Sequence, residues 1–328
     1  MLFIVTGYKG FETVLFHEVR QLLEAIDCKV TKQYGGVSIE GGLDAAYTII
    51  LNSRLANRVF LPLKTFKVDS EESLYEGAKS IAWDQHMTAT GSLAVSATLS
   101  RAALTHSQYA ALKVKDAIVD FFREKVGERP SVDKNHPDLR LHLNIRQQTA
   151  ELSLDLSGSS LHRRGYRLEH TGAPLKEHFA ASLLVQAGWN KQDYEHLIDP
   201  MCGSGTFVIE AALMKANIPP ALTREYFGFN NWLQHEESVW QAVKEAAEEH
   251  IDVSLIPRMT GYDKDPKAIS VSRQNAERAG LGDFLDFKVQ SLYQLKPDDQ
   301  HNLIIFNPPY DERLQAEEGL ANLYSQMG

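Results

Sequence analysis

Residues 198–212 read IDPMCGSGTFVIEAA, and no other stretch narrows the folds open to this chain as much. An apolar strand ends at Asp199, a tight turn holds Gly203 and Gly205, and an apolar helix begins near Thr206. Strand, glycine turn and helix in that order open a βαβ unit, because parallel strands need a crossover between them. Glycines let backbone approach a ligand closely, and a helix start offers free N–H groups. Two phosphate-loop readings fail: there is no Gly-Lys-Ser/Thr, and Val208 stands where a dinucleotide fingerprint needs its third glycine. The alternation continues on both sides. Helix HFAASLLVQAGW precedes strand HLIDPM, and strand MTGYD, helix DPKAISVSRQNAERAG and strands LDFKVQS and NLIIF follow. From residue 177 the pattern predicts a doubly wound parallel sheet.

Upstream the rhythm differs. Residues 1–43 read as a small α/β piece: strand LFIVTG, amphipathic helix FETVLFHEVRQLLEA, then two short strands around Gly35-Gly36. Residues 44–157 read as a compact α+β module. Its first helix passes into a strand stopped near Pro62, and its long helix is capped by Thr105 or Ser107 and ended by Gly127 and Pro130. A hairpin, LRLHLNIRQQTAELSLDLSG, closes it. Residues 158–176, polar and basic, read as a linker. The last domain is expected to span 177–328 and to be incomplete at its C-terminus, since the chain stops eighteen residues after Tyr310.

The chemistry-bearing residues cluster at strand ends. In GYDKDP, Asp263 can accept both hydroxyls of a ribose, while Asp265 caps the helix that opens at Pro266. In NLIIFNPPYDERL, Asn307 follows an apolar strand, and two prolines hold the chain extended so that carbonyls point in set directions. The Asn307 side-chain oxygen and the Pro308 carbonyl can accept both N–H groups of a planar amine, and Tyr310 can stack on its base. Cys202 lacks a neighbouring base and is expected to shape the turn rather than act as a nucleophile. Trp232 and Trp240 are expected to pack.

Charge and composition exclude other classes. The net charge is −9, yet residues 100–176 carry 13 Lys+Arg against 9 Asp+Glu, a local basic excess compatible with nucleic acid. Lys113 and Lys115, and the Arg163, Arg164 and Arg167 cluster, are candidate phosphate contacts; the arginines could instead brace the domain junction by ion pairs. No apolar run reaches the roughly 20 residues of a membrane span. The N-terminus is no secretory signal, and two distant cysteines, Cys28 and Cys202, point to a reducing cytoplasm. No His-Glu-x-x-His or Cys-x-x-Cys spacing occurs, so no metal is expected.

Taken in order, DPMCGSGT, GYDKDP and NPPY resemble class I S-adenosylmethionine-dependent amino-methyltransferases. LSRAALTHSQYAALKVKDAIVDFFRE and SLDLSGSSLHRRGYR resemble the THUMP-containing group that methylates guanine N2 in bacterial large-subunit (23S) ribosomal RNA. The resemblance implies a ferredoxin-like piece, a THUMP RNA-binding module and a Rossmann-like methyltransferase domain. It implies that Asp199, Met201, Cys202, Gly203, Ser204, Gly205 and Thr206 face the methionine part of S-adenosyl-L-methionine. Asp263 would take the ribose, and Asn307, Pro308 and Tyr310 the target amine. Ser291 stands where related enzymes carry an acid for the adenine amino group. An N6-adenine methyltransferase and an inert RNA-binding fragment remain open as alternatives.

Overall fold

The computed structural model describes residues 1–102, 104–167, 175–296 and 301–308, which fall into two compact units. The first comprises residues 1–162 together with 221–246; the second comprises 163–220 and the chain from 247 onward.

The first unit is one mixed sheet of eight strands with helices against it. In chain order its elements are β1 (Leu2–Thr6), α1 (Glu12–Leu22), β2 (Lys29–Gln33), β3 (Gly36–Glu40), α2 (Leu43–Asn52), β4 (Arg58–Lys67) and α3 (Glu71–Lys79). There follow β5 (Ser92–Ser100), α4 (Ser107–Val126), β6 (Ser131–Val132), β7 (Leu139–Arg146) and β8 (Thr149–Asp155). The strand order is β2-β3-β1-β4-β8-β7-β5-β6, with β5 parallel to β7 and β6 and the other pairs antiparallel. Two local expectations are corrected. β4 does not stop at Pro62 but runs through it to Lys67, because the register shifts between Pro62 and Lys64 and the missing N–H falls at that irregularity. α4 begins after His106 with no side-chain cap, neither Thr105 nor Ser107 filling that role.

Residues 221–246, part of an uninterrupted C-terminal domain by the sequence reading, group instead with the first unit. The physical reason is aromatic burial: Phe227, Phe229 and Trp240 pack around Tyr47 of α2, with centroids 4.7 Å (Phe229) and 5.7 Å (Trp240) from its ring. His235 Nδ1 lies 2.6 Å from Tyr47 Oη, and Arg224 Nη2 donates to the carbonyls of Ser157 and Ser159 at 2.8 and 3.0 Å. Gly228 is required here, since a Cβ would sit 1.9 Å from the Asp155 carbonyl oxygen. Trp232 and Trp240 are both buried, as packing residues should be.

The second unit holds α5 (Glu177–Gln186), β9 (His196–Asp199), α6 (Thr206–Lys215), β10 (Arg258–Asp263), α8 (Pro266–Arg278), β11 (Asp286–Val289) and β12 (Asn302–Ile304); α7 (Glu237–Glu248) precedes β10 and lies mostly in the first unit. The four described strands are parallel, in the order β11-β10-β9-β12. Leu197, Phe207, Val208, Ile209, Met259, Ile269 and Phe287 form its core with Trp189, whose indole N–H donates to the Ala211 carbonyl at 3.0 Å. Among the described residues, no helix is long and apolar enough to cross a membrane.

Candidate active site

From β9 the chain moves outward to β10 and β11 and then returns to place β12 on the other side of β9. That reversal is a switch point, where connections leave in opposite directions and a crevice opens beyond the strands' carboxyl ends. The register puts the chemistry there. Gly261 pairs with Asp199, Val289 with Asp263 and Ile304 with Ile198, so Asp199, Asp263, Ser291 and Asn307 each end or follow one of four adjacent strands.

The glycine turn is fixed by its own amides and by α8. Met201 N donates to Asp199 Oδ1 at 3.1 Å, Cys202 N to the Tyr262 carbonyl at 2.8 Å, and Gly205 N to the Cys202 carbonyl at 2.8 Å. Gly203 N donates to Asp263 Oδ2 at 3.0 Å, while Asp265 N donates to Asp263 Oδ1 at 3.0 Å. One carboxylate thus ties turn to strand, and each of its oxygens keeps a lone pair for a further donor. Asp265 caps α8 through Lys267 N at 2.9 Å, with Pro266 first in the helix, as expected for that acid. Gly205 sits at φ +81° just before α6, a conformation that costs other residues about 1–2 kcal/mol.

Ser272 and Asn275 were not singled out in the sequence, yet both hold the turn. Ser272 Oγ lies 2.7 Å from the Gly203 carbonyl, and Asn275 Nδ2 donates to the Ser204 carbonyl at 3.0 Å. Both are fully buried. Their signal was present: two polar residues three apart share the apolar face of α8 with Ile269 and Ala276.

Asp199 is 1% exposed, and no basic side chain among the described residues pairs with it. Burial pushes its carboxyl up to about 8; the Met201 N–H pulls the other way, and the nearby Asp263 carboxylate adds to the rise. A buried acid of this kind favours arrival of a cation. Burial likewise pushes the Cys202 thiol up, with its sulfur 3.8 Å from Ser272 Oγ, which suits packing in the turn and not nucleophilic attack.

Ser291 is half-buried, and its N–H donates to Gln294 Oε1 at 3.4 Å, opening a short 3-10 turn. Asn307 and Pro308 are half-buried beyond β12, whose last residue is Ile304, two short of the strand expected from the sequence; Tyr310 lies outside the described residues.

The arginine cluster divides. Arg163 is exposed. Arg164, with 2% of its side chain exposed, has Nε 3.6 Å from Glu210 Oε1, and Arg167 has Nε 3.5 Å from Glu177 Oε1. Each of these two thus faces an acid of its own unit, Glu210 of α6 and Glu177 of α5, which leaves little of either guanidinium for a phosphate. On α4, Lys115 pairs with Asp116 at 2.5 Å and Lys113 lies over the Tyr109 ring at 5.7 Å.

With the geometry in hand, three family models match successive parts of the chain: an RlmL ferredoxin-like domain over residues 2–60, a THUMP domain over 68–155, and an RMKL-like methyltransferase domain over 164–328. The ribosomal RNA large subunit methyltransferase K/L of Syntrophotalea carbinolica is 47% identical over 99% of this chain and 46% of its own length. This chain therefore spans a little under half of the curated relatives it matches. Among solved structures, SMU.472 complexed with SAH superposes with a TM-score of 0.86 at 28% identity, over 99% of this chain and 85% of that one. A "predicted N6-adenine-specific DNA methylase" from Listeria monocytogenes gives 0.85 at 30% identity, over 99% and 84%.

Proposed function

The chain belongs to the RMKL-like methyltransferase family, and from that premise we propose that it moves a methyl group from S-adenosylmethionine to the exocyclic N2 amine of a guanine in 23S ribosomal RNA. The observation that carries this reading is the turn at the switch point, where Gly203 N is held by Asp263 beside the buried Asp199. S-adenosylmethionine, when bound, supplies an electrophilic methyl on a cationic sulfur. The residues present suit it. Asp199 has no countercation among the described residues, the turn's helix end offers amides to a carboxylate, and Asp263 keeps acceptor capacity for ribose hydroxyls. Ser291, half-buried past β11, stands on the adenine side in place of an acid.

Asn307 Oδ1 and the Pro308 carbonyl accept the two N–H groups of the target amine, orienting its lone pair and favouring the positive charge that grows on nitrogen. Tyr310 stacks on the base face, and the proton leaves to solvent after transfer. Because the amine lies on a Watson–Crick edge, the guanine must be flipped out of its stack. The THUMP segment grips the RNA, with exposed Arg163 and, on α4, Lys113 and Lys115 as phosphate contacts. The names of the K/L relatives support large-subunit ribosomal RNA as the substrate.

An N6-adenine amine is the second reading, favoured by the name of the Listeria structure. The two separate by methylating undermodified 23S RNA with labelled donor and mapping the product nucleoside by mass. N2-methylguanosine is expected; N6-methyladenosine moves the assignment to the second reading. Absence of label, with no donor binding by calorimetry, overturns both.

A further inference from the structure

Half-buried Arg167 has a task inside the second unit. Arg167 sends its guanidinium in three directions. Nη2 donates to Thr206 Oγ1 at 2.5 Å, Nη1 donates to the Leu175 carbonyl at 2.9 Å, and Nε lies 3.5 Å from Glu177 Oε1. Thr206 is the first residue of α6, directly after Gly205 at φ +81°, and Ser204 Oγ lies 3.4 Å from Thr206 Oγ1. One turn along α6, Glu210 accepts from Tyr166 Oη at 3.0 Å and faces Arg164 Nε at 3.6 Å. Residues 164–167 therefore address one face of α6 at two successive turns.

Stability alone does not account for this choice of residue. A cation at a helix N-terminus opposes the helix dipole, and a buried ion pair often gains nothing over apolar packing of similar volume. α5 and α6 already contribute Ala180, Leu184, Val208 and Ala211 to one apolar core. What a guanidinium adds is direction. Held by the Leu175 carbonyl and by Glu177 at the start of α5, it fixes the Thr206 hydroxyl and so the orientation of the first amides of α6. We propose that Arg167 is a positioning residue for the glycine turn, acting through Thr206 to set the donor-binding conformation. This rests on the reading of that turn as the S-adenosylmethionine site.

The test is calorimetric titration of the full chain with S-adenosylhomocysteine. Losing a hydrogen bond to a charged group is worth about tenfold or more in Kd. Arg167→Met and Thr206→Val should each weaken binding by about tenfold, and the double variant should be no weaker than either single. Thr206→Ser, which keeps the hydroxyl, should bind as the unaltered chain does. Tyr166→Phe, which removes a hydrogen bond one turn away, should lower Tm with Kd within about twofold. Arg167→Met that lowers Tm without changing Kd overturns the proposal, as do additive losses in the double variant. Failure of the unaltered chain to bind S-adenosylhomocysteine overturns the donor site and this inference with it.

Discussion

Asp199 supplies the most quantitative prediction. Its carboxyl, pushed up to about 8 chiefly by burial, is about nine-tenths protonated at pH 7. A donor bearing a sulfonium and an ammonium favours the carboxylate. A carboxyl that is mostly protonated in the unliganded chain and ionises on binding releases up to about one proton at pH 7. Titrating the chain with S-adenosylmethionine at pH 7 in buffers of different ionisation enthalpy measures that number directly. Affinity should rise by up to about tenfold per pH unit as pH approaches 8 and level off above about 8. The unliganded protein follows the opposite course. Between about pH 4 and about pH 8 the folded state keeps a proton that the unfolded state has lost, so this acid makes stability fall with pH by about 1.4 kcal/mol per unit, levelling above 8. In Asp199→Asn, proton release and this part of the slope should both vanish. A released-proton count near zero in the unaltered chain, with affinity independent of pH between 6 and 8, would refute the reasoning.

The turn and the first unit give three further expectations. Gly205→Ala should cost about 1–2 kcal/mol in stability by denaturant titration, since its Cβ meets Phe287 and Ser272 at 3.2 Å in a left-handed conformation. Asn275→Ala should lower stability by about 1–3 kcal/mol and weaken donor binding by calorimetry, because it leaves the buried Ser204 carbonyl without its donor. Trp240→Ala should destabilise the first unit by about 3–5 kcal/mol in denaturant titration, having opened a cavity among Tyr47, Phe227 and Phe229.

The strand–turn–helix at residues 196–215 was legible because glycine spacing and a buried acid leave few alternatives to a parallel crossover. The capping role of Asp265 was legible from the proline that follows it. The path of residues 221–246 was not, since an aromatic run such as YFGFNNW carries no periodicity that names its partner, and Tyr47 lies far away in sequence. Pro62 misled because proline ends strands unless a register shift absorbs the missing donor, and such a shift, here one extra β4 residue between Pro62 and Lys64, arises only in the pairing with β8. Arg164 and Arg167 misled because a basic run looks alike on a surface and in a buried clamp; only Glu177 and Glu210, brought close by folding, tell the two apart.

The central claim is that the backbone past β12 grips an amine while the donor is held elsewhere, on the glycine turn. Asn307→Ala separates the two in one pair of measurements: single-turnover methyl transfer to undermodified 23S RNA, and the Kd for S-adenosylmethionine. Transfer should fall by about 10²-fold or more with Kd within about threefold. Transfer retained at the unaltered rate, or a loss of donor affinity that matches the loss of transfer, would contradict the account.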